Sequence, residues 1–353
     1  MKAVNIGKYR ISPGQPCFII AEAGVNHNGD INLAHMLIDI SVKAGVDAVK
    51  FQSFITEELI TRDAPKADYQ VQTTGNKDSQ YSMLKSLELG FDQQLELKTH
   101  CDQAGIMFLS TPYDLASVDM LDKMRVAGYK IASTDTTNLP FLKYVAEKGK
   151  PVILSTGMST LGEVEQAVEV FRSIGQADNL VLLHCTSEYP AKIEEANLKA
   201  ILTLQQAFNC PVGFSDHTQG IGASPWAVAI GACVVEKHFT LDHNMIGPDH
   251  RASLEPQELT ALVREIRLVE AALGDGVKRL MPSEISNKTR MQKSLVAKRQ
   301  LERGERISAQ DITLKRPGDG LPSTFFTAIV GRKTSRFIAK DEQIGLAAID
   351  WES

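Results

Sequence analysis

Two histidines and a glutamate stand at the ends of two consecutive apolar runs in the carboxyl-terminal half of this 353-residue sequence. His217 follows a run that begins at residue 211, and Glu236 and His238 close a run that begins at residue 234. Side chains alternate along a strand, so Glu236 and His238 are expected to point to the same face. Two imidazoles at one level of neighbouring strands are equally compatible with a metal site and with histidines satisfied by protein partners.

Two lysines also end apolar runs. Lys50 and Lys130 each follow apolar residues, and a buried ammonium group is unfavourable unless it is paired. One interpretation is a structural ion pair with Glu22 or Glu236, and the other is a cradle for a small phosphorylated anion. The two are compatible, because pairing keeps the lysines charged until the anion arrives. The hydroxyl groups that would complete the cradle lie at the ends of other runs: Thr111, Ser133 and Ser155.

The bulk composition limits the classes of protein to consider. The sequence is 43% hydrophobic and 23% charged, which is typical of a soluble globular protein. The net charge of −5 offers no excess of basic residues to neutralise nucleic acid. No signal peptide and no membrane-spanning run is recognisable, so we expect a cytoplasmic protein. The five cysteines include no Cys-x-x-Cys pair and are expected to be structural thiols.

The framework that must position these groups is a series of eight short apolar runs separated by amphipathic segments. Strands of a parallel sheet that is covered on both faces have this pattern. Eight strand–helix units predict an α/β fold of the (β/α)8 TIM-barrel class, which places chemistry at the carboxyl ends of its strands. An open doubly wound sheet is disfavoured, because residues 24–29 lack the glycine spacing of a dinucleotide-binding loop. The strands are predicted over residues 17–22, 48–52, 107–111, 129–133, 151–155, 180–185, 211–215 and 234–239.

The same periodicity predicts helices and a domain boundary. A catalytic domain is predicted over residues 1–276, with a hairpin over residues 1–16 as its cap. Residues 277–293 form a predicted linker, and residues 294–353 a compact, weakly repetitive domain. A polar insertion over residues 56–81 is too irregular to be assigned as helix or strand. The helices are predicted over residues 31–44, 92–104, 115–124, 139–148, 162–174, 197–208, 224–230 and 256–273.

Eight motifs, in one order along nearly the whole chain, resemble those of the sialic acid synthase family. Members of that family condense phosphoenolpyruvate with an N-acylated hexosamine to form a nine-carbon 2-keto acid. The tail resembles the antifreeze-like (SAF) domain that follows the barrel in this family. The motifs are IIAEAGVNHNG at 19–29, VKFQ at 49–52, STP at 110–112, LSTGM at 154–158, SDH at 215–217, EKHF at 236–239, GPD at 247–249 and KRPG at 315–318.

The resemblance implies a role for each matching position. His217 and His238 would bind a divalent metal, Mn²⁺ by the family's habit, with Mg²⁺ or Co²⁺ also possible. Glu22, Glu236 and the two lysines would take part in catalysis, with Glu22 as the first candidate for the general acid and base. Phosphoenolpyruvate would be held by Lys50, Thr111, Lys130, Ser133, Ser155 and Ser215. The sugar would be held by Glu22, Gln52, Asn76, Asp135, Tyr189, Asp249 and Arg316, and Ser187 would lie near the substrates.

The resemblance also implies a partner and a branch of the family. Arg316 would reach the barrel of a partner subunit, so a homodimer with a swapped carboxyl-terminal domain is expected. Ser187 stands where several neuraminate synthases have Asn, and Asp135 stands where Glu is common. Residues 184–190 and 253–258 are more similar to the neuraminate and legionaminate branches than to the pseudaminate branch. An N-acetylmannosamine-type substrate is therefore expected, with 2,4-diacetamido-2,4,6-trideoxymannose, the precursor of diacetyllegionaminate, as the alternative.

Other functions are compatible with parts of the sequence. A metal-dependent aldolase would use pyruvate on the same barrel, and a variant would form a Schiff base through Lys130 or Lys50. A literal interpretation of the antifreeze-like tail would make the chain an ice- or carbohydrate-binding protein. That hypothesis leaves the polar ends of eight strands without a purpose.

Overall fold

The structure, a computed structural model, describes residues 2–74 and 79–352. The chain divides into two compact units, Met1–Gly274 and Asp275–Ser353. The change of pattern that the sequence shows after residue 276 lies close to this division.

The first unit contains a hairpin followed by a single parallel sheet. The hairpin pairs β1 (Val4–Ile6) with β2 (Tyr9–Ile11) in antiparallel fashion. The parallel strands are β3 (Phe18–Gly24), β4 (Ala48–Ser53), β5 (Met107–Pro112), β6 (Tyr129–Ile131), β7 (Val152–Ser155), β8 (Leu180–Cys185), β9 (Val212–Asp216) and β10 (Val234–His238). They are hydrogen-bonded in the order β5-β4-β3-β10-β9-β8-β7-β6. Strands β5 and β6, the two ends of that order, contact each other, so the sheet is a nearly closed barrel and the predicted TIM-barrel class is confirmed.

Helices cover the outside of this barrel. All eight predicted helices are present, each with bounds within a few residues of the prediction. The helices of the first unit are α1 (Ile31–Ala44), α2 (Thr56–Leu59), α3 (Asp68–Thr74), α4 (Gln80–Leu87), α5 (Phe91–Ala104), α6 (Leu115–Lys123), α7 (Leu139–Glu147), α8 (Leu161–Ser173), α9 (Ala200–Phe208), α10 (Ala223–Ala229) and α11 (Pro256–Leu273).

The prediction of irregular structure for the insertion was wrong. The insertion contains α2 and α3 and leads into α4, whose first turn is capped by the Ser79 hydroxyl accepting from Ser82 N–H. Helices of four to eight residues are too short to display a 3.6-residue period in sequence. Tertiary packing rather than intrinsic propensity stabilises such short helices.

Inward-facing positions of the strands change from apolar to polar in the direction of the chain. On β3, Phe18 and Ile20 belong to an apolar cluster inside the barrel, and Glu22 is the next residue on that face. On β10, Val234 belongs to the same cluster and is followed on that face by Glu236. The hairpin residues of this cluster are Val4, Ile6 and Ile11. They fill the amino-terminal end of the barrel, and the polar groups lie at its carboxyl-terminal end.

The second unit is small and has its own core. Strands β11 and β12 pair in antiparallel fashion, as do β13 and β14. Two similar segments of the tail, residues 301–307 and 338–344, meet where Leu301 bridges Ile338. Both side chains are fully buried in the core of this unit. The elements are α12 (Ile285–Met291), β11 (Ser294–Ala297), β12 (Ile312–Lys315), α13 (Phe326–Ile329), β13 (Lys333–Thr334) and β14 (Ile349–Asp350).

Close packing inside the barrel gives a prediction at Gly213 on β9. A Cβ added there would lie 2.4 Å from the Val234 carbonyl oxygen and 2.7 Å from a Leu183 methyl carbon. We expect Gly213→Ala to lower the free energy of unfolding by about 1–3 kcal/mol, because overpacking displaces backbone. Chemical denaturation followed by circular dichroism measures the change.

Gly162 in α8 provides the matched control. A Cβ added at this exposed position meets nothing within 4 Å, so Gly162→Ala should be neutral or stabilising by up to about 1 kcal/mol. Equal stabilities for the two variants would contradict the packing argument.

Candidate active site

A cavity of about 500 Å³ opens at the carboxyl ends of the barrel strands. Its polar floor is formed by residues from all eight strands or the loops that follow them. All but three of the residues predicted for the site line this cavity. The lining residues among them are Glu22, Lys50, Gln52, Thr111, Lys130, Ser133, Ser155, Ser187, Tyr189, Ser215, His217, Glu236, His238 and Asp249.

The three other predicted residues have separate placements. Asp135 is not among the residues that line the cavity, and its carboxylate accepts hydrogen bonds from Asn138 Nδ2 at 3.0 Å and Thr134 Oγ1 at 3.2 Å. Asn76 lies outside the described residues. Arg316 lies in the second unit, where its Nε donates to the Met291 carbonyl oxygen at 2.9 Å.

Two lysines and two glutamates form a buried charge cluster on the floor of the cavity. Lys50 Nζ lies 2.8 Å from Glu22 Oε2 and 3.8 Å from Glu236 Oε2. Lys130 Nζ lies 3.4 Å from Glu236 Oε1. All four side chains are at most 5% exposed, so solvent screens their interactions only weakly. With both pairs ionised, the cluster is neutral overall.

The two carboxyl groups of this charge cluster differ electrostatically. Burial raises the pKa of Glu22, and the neighbouring Glu236 adds to the shift against the attraction of Lys50. Burial acts in the same direction on Glu236, but its contacts with Lys130 and Lys50 dominate and lower its pKa. A pair of carboxyl groups whose pKa values are pushed apart is a common acid–base arrangement in active sites. Glu236 is therefore the permanent anion, and Glu22 is the group that can gain or lose a proton near neutral pH.

Hydroxyl groups surround both ammonium groups. Lys50 Nζ donates to Thr111 Oγ1 at 2.9 Å, and Lys130 Nζ donates to Ser155 Oγ at 2.7 Å. Ser133 Oγ accepts from the backbone N–H of Gly157 at 2.9 Å. Only glycine fits at position 157 without displacing its neighbours, because an added Cβ would lie 2.2 Å from Ser187 Oγ and 2.9 Å from Ser133 Oγ. These contacts place cations, hydroxyls and backbone donors where an anion can be bound from several directions.

The two imidazoles predicted as metal ligands lie side by side in the cavity wall. The ring centroids of His217 and His238 are 5.6 Å apart, and the ring of Tyr189 lies 4.2 Å from the first and 5.7 Å from the second. His217 Nδ1 contacts the Thr186 carbonyl oxygen at 2.7 Å. That contact assigns the proton to Nδ1 and leaves a lone pair on Nε2.

The imidazole chemistry fits a divalent metal. Burial lowers the pKa of His217 to about 4 and that of His238 well below its ordinary value, so both rings are neutral and able to donate lone pairs at neutral pH. His238 Nδ1 is buried and has no hydrogen-bond partner. Across the described residues, no set of three or more His, Cys, Asp or Glu side chains has the geometry to hold a metal. The metal site expected at His217 and His238 stays a prediction.

One side of the cavity was not foreseen from the sequence. Besides the polar floor, the cavity has an apolar wall contributed largely by the insertion and α4. Met83 and Leu87 of that helix are buried and pack in one apolar cluster with Val25 and Phe54. The spacing of Met83, Leu84 and Leu87 is that of one helical face, and it was the available signal in the sequence. The apolar wall consists of Val25, Phe54, Leu59, Ile60, Met83, Leu84 and Leu87.

Comparisons with known proteins agree with this geometry. The sequence profile of the NeuB family matches residues 37–278, and that of the SAF domain matches residues 292–350. The chain is 50% identical to the N,N'-diacetyllegionaminic acid synthase of Campylobacter jejuni over 92% of this chain and 98% of that protein. It is 44% identical to the enzyme of the same name from Legionella pneumophila, over 90% of each chain.

A solved structure is similar to the chain as well. The crystal structure of the N-acetylneuraminic acid (sialic acid) synthetase of Leptospira borgpetersenii matches with a TM-score of 0.72 and 37% sequence identity. The match covers 81% of this chain and 95% of that one. Within the part of the chain that the structure describes, no helix has the length and apolar character needed to cross a membrane.

Burial of Asp249 in the cavity gives a prediction for stability against pH. Burial raises the pKa of this carboxyl to about 6, although Lys50 opposes the shift. The folded chain therefore binds this proton more tightly than the unfolded chain. The resulting stabilisation is present below about pH 4 and is lost as the pH rises through about 6.

An asparagine at position 249 cannot ionise, so Asp249→Asn should remove the loss of stability that the wild type shows as the pH rises through about 6. We expect the variant to be more stable than the wild type by about 1–3 kcal/mol near pH 7.5, with the difference disappearing near pH 4. Urea unfolding at several pH values measures it. A stability difference that stays constant with pH would show that Asp249 does not titrate as described.

Proposed function

The chain belongs to the NeuB family, and we propose that it condenses phosphoenolpyruvate with an N-acylated amino sugar to give a nine-carbon 2-keto acid and inorganic phosphate. The observation that carries this proposal is the convergence of two buried ammonium groups and two neutral imidazoles on one cavity. The ammonium groups suit the anionic substrate, and the imidazoles suit a cation that activates the other substrate.

The buried charge cluster supports phosphoenolpyruvate as the anion. Glu22 and Glu236 favour the charged forms of Lys50 and Lys130 in the absence of substrate. They raise the pKa of Lys50, while for Lys130 burial outweighs the attraction of Glu236 and lowers the pKa. Carboxylate and phosphate groups that enter the cavity compete with these glutamates for the same ammonium groups. Glu22 is the carboxyl group that can respond by taking up a proton, since its pKa is already raised. The anion therefore binds without leaving an uncompensated buried charge.

His217 and His238 would hold the divalent metal, for which we propose Mn²⁺ on the strength of the family resemblance. When bound, such an ion supplies Lewis-acid polarisation of the aldehyde oxygen of the open-chain sugar. Two protein ligands leave most of the coordination sphere for water and substrate.

The carbon–carbon bond would form between C3 of phosphoenolpyruvate and the aldehyde carbon of the sugar. Positive charge then develops at C2, where the ionised Glu236 stabilises it by attraction. Water adds to C2, and the tetrahedral intermediate releases phosphate by C–O cleavage. Glu22, protonated when the anion binds, would donate its proton to the aldehyde oxygen as the carbon–carbon bond forms, and would then take a proton from the attacking water. The proton of the C2 hydroxyl group leaves with the phosphate as the keto group forms.

The apolar wall supports a deoxygenated sugar. A sugar hydroxyl buried against apolar side chains without a partner is unfavourable, whereas a methyl group gains from the contact. The sugar 2,4-diacetamido-2,4,6-trideoxymannose carries a C6 methyl and two acetamido methyls, while N-acetylmannosamine has hydroxyl groups at C4 and C6. We therefore propose the first as the preferred substrate, in line with the names of the two enzymes compared above. The expectation of an N-acetylmannosamine-type substrate stays untested.

Phosphate release tests the proposed function. The full chain should release inorganic phosphate from phosphoenolpyruvate only when a suitable sugar is present, and a chelator should abolish the release in a manner that Mn²⁺ restores. We expect kcat/KM to be at least about tenfold higher for the trideoxy sugar than for N-acetylmannosamine. Condensation with pyruvate and no phosphate release would instead indicate an aldolase.

A variant of the apolar wall tests the sugar preference. Leu84→Gln keeps helix propensity but places an amide in the apolar wall, so kcat/KM should fall more for the trideoxy sugar than for N-acetylmannosamine. The matched control is Leu95→Gln, an exposed leucine of α5 outside the cavity, which should change neither value. Equal losses for both sugars in Leu84→Gln would contradict the preference.

Glu22 gives a prediction for catalysis. Glu22→Gln retains the size of the side chain and removes its proton-transfer capacity. Turnover should fall by about 100-fold or more, while the dissociation constant of phosphoenolpyruvate should stay the same or decrease, because Lys50 loses a competing anion. Equilibrium binding and steady-state kinetics measure the two effects. The control is Glu165→Gln on the exposed face of α8, which should not change turnover. Unaltered turnover in Glu22→Gln would exclude Glu22 from the mechanism.

The homodimer implied by the family resemblance, with Arg316 reaching a partner's barrel, stays a prediction. Equilibrium sedimentation of the full chain measures the oligomeric state directly.

A further inference from the structure

Two charged residues of the histidine motifs are not used by the proposed function. Asp216 precedes His217, and Lys237 lies between Glu236 and His238. Both are about 1% exposed. They are partners in the register between β9 and β10, and strand alternation turns them to the face opposite the cavity. Lys237 Nζ lies 3.3 Å from Asp216 Oδ1, so each compensates the buried charge of the other.

The pair also holds the residue that follows His217. Asp216 Oδ1 accepts hydrogen bonds from Thr218 N–H at 2.8 Å and from Thr218 Oγ1 at 2.7 Å. Lys237 Nζ donates to the Thr218 carbonyl oxygen. The other carboxylate oxygen, Asp216 Oδ2, accepts from Ser224 Oγ at 2.6 Å. All three polar groups of Thr218 are therefore fixed by one ion pair.

This clamp matters because His217 lies outside the strand. Strand β9 ends at Asp216, and beyond it the His217 backbone has one bridging hydrogen bond, from Ala191 N–H to the His217 carbonyl oxygen at 2.8 Å. The clamp fixes the backbone on the far side of His217, and Lys237 is itself the neighbour of His238. One ion pair behind the sheet thus connects the backbone beside one imidazole to the backbone beside the other.

We propose that Asp216 and Lys237 are positioning residues that set the separation of His217 and His238 and thereby the affinity for a divalent cation. This inference rests on the metal assignment in the proposed function. Neither residue lines the cavity, so the effect is transmitted through Thr218 and the strand backbone. A salt bridge replaced by well-packed neutral residues often leaves stability unchanged, which makes the positioning role separable from a purely stabilising one.

The test compares cation affinity with stability in the full chain. Lys237→Met leaves the Asp216 carboxylate buried and uncompensated, and it should lower the melting temperature and weaken Mn²⁺ binding. Asp216→Asn combined with Lys237→Met removes both charges and should recover much of the stability. The dissociation constant for Mn²⁺, measured from the electron paramagnetic resonance signal of the free ion, should nevertheless remain about 10- to 100-fold above the wild-type value, as for other residues that orient metal ligands.

Two further variants keep the test decisive. Thr218→Val removes only the hydroxyl contact with Asp216 and should raise the Mn²⁺ dissociation constant with little change in melting temperature, even if the double variant does not fold. The matched control is Asp47→Asn combined with Arg267→Met, which removes another ion pair of the barrel, with 3.2 Å between Asp47 Oδ2 and Arg267 Nη2. It should lower the melting temperature and leave Mn²⁺ affinity unchanged.

The outcomes separate this inference from the proposed function. If His238→Ala abolishes Mn²⁺ binding but the folded double variant and Thr218→Val bind Mn²⁺ within about twofold of the wild type, the positioning role is overturned and the proposed function stands. Parallel losses of Mn²⁺ affinity in the Asp47 control would also overturn it, since the effect would then follow stability alone. Absence of saturable Mn²⁺ binding by the wild type would overturn the metal assignment and the positioning role together.

Discussion

The interaction on which the rest of the site depends is the mutual neutralisation of four charges inside the barrel. Lys50 and Lys130 could not remain protonated in an apolar interior without Glu22 and Glu236, which lie 2.8 Å and 3.4 Å from them. The ion pairs are not themselves a strong source of stability, because desolvation offsets most of the attraction. Their effect is to keep two ammonium groups charged and in place, ready for an anion that arrives with more charge than either glutamate.

The barrel makes such a charge cluster possible by separating packing from chemistry along each strand. The amino-terminal half of the interior is filled by apolar side chains and closed by the hairpin. The carboxyl-terminal half contains the polar groups. These groups are free to serve chemistry, because the apolar layers at the other end already form the packed core of the barrel interior. Alternation divides the same strands a second way. Glu236 and His238 face the cavity, while Lys237 faces the helices. On that outer face, the ion pair between Lys237 and Asp216 connects β10 to β9.

The sequence was sufficient to predict the barrel and most of the cavity floor, because both depend on strand periodicity. Once the strand ends are known, the carboxyl-terminal end of the barrel interior is where four charged side chains come together: Glu22, Lys50, Lys130 and Glu236. Asp135 was expected in the site from the family resemblance alone. It ends a 3-10 turn that follows a strand of three residues, where strand alternation no longer determines direction, and Asn138 and Thr134 donate hydrogen bonds to its carboxylate. The insertion could not be predicted for a related reason, since its helices are too short for periodicity to identify.

These two limits have the same physical origin, and it bears on how specificity is distributed in this fold. The reaction common to the family uses groups fixed by the barrel, where position follows from a regular backbone. The apolar wall that we propose contacts the rest of the sugar comes from α4 and the segments before it, whose positions depend on packing against Val25 and Phe54 rather than on a ladder. A substitution in such a segment alters the shape and polarity of the sugar pocket without disturbing the buried charges. If the wall contacts the sugar as proposed, substrate choice can change while the chemistry is retained. The part of the site that strand periodicity does not predict would then be the part that distinguishes one sugar from another.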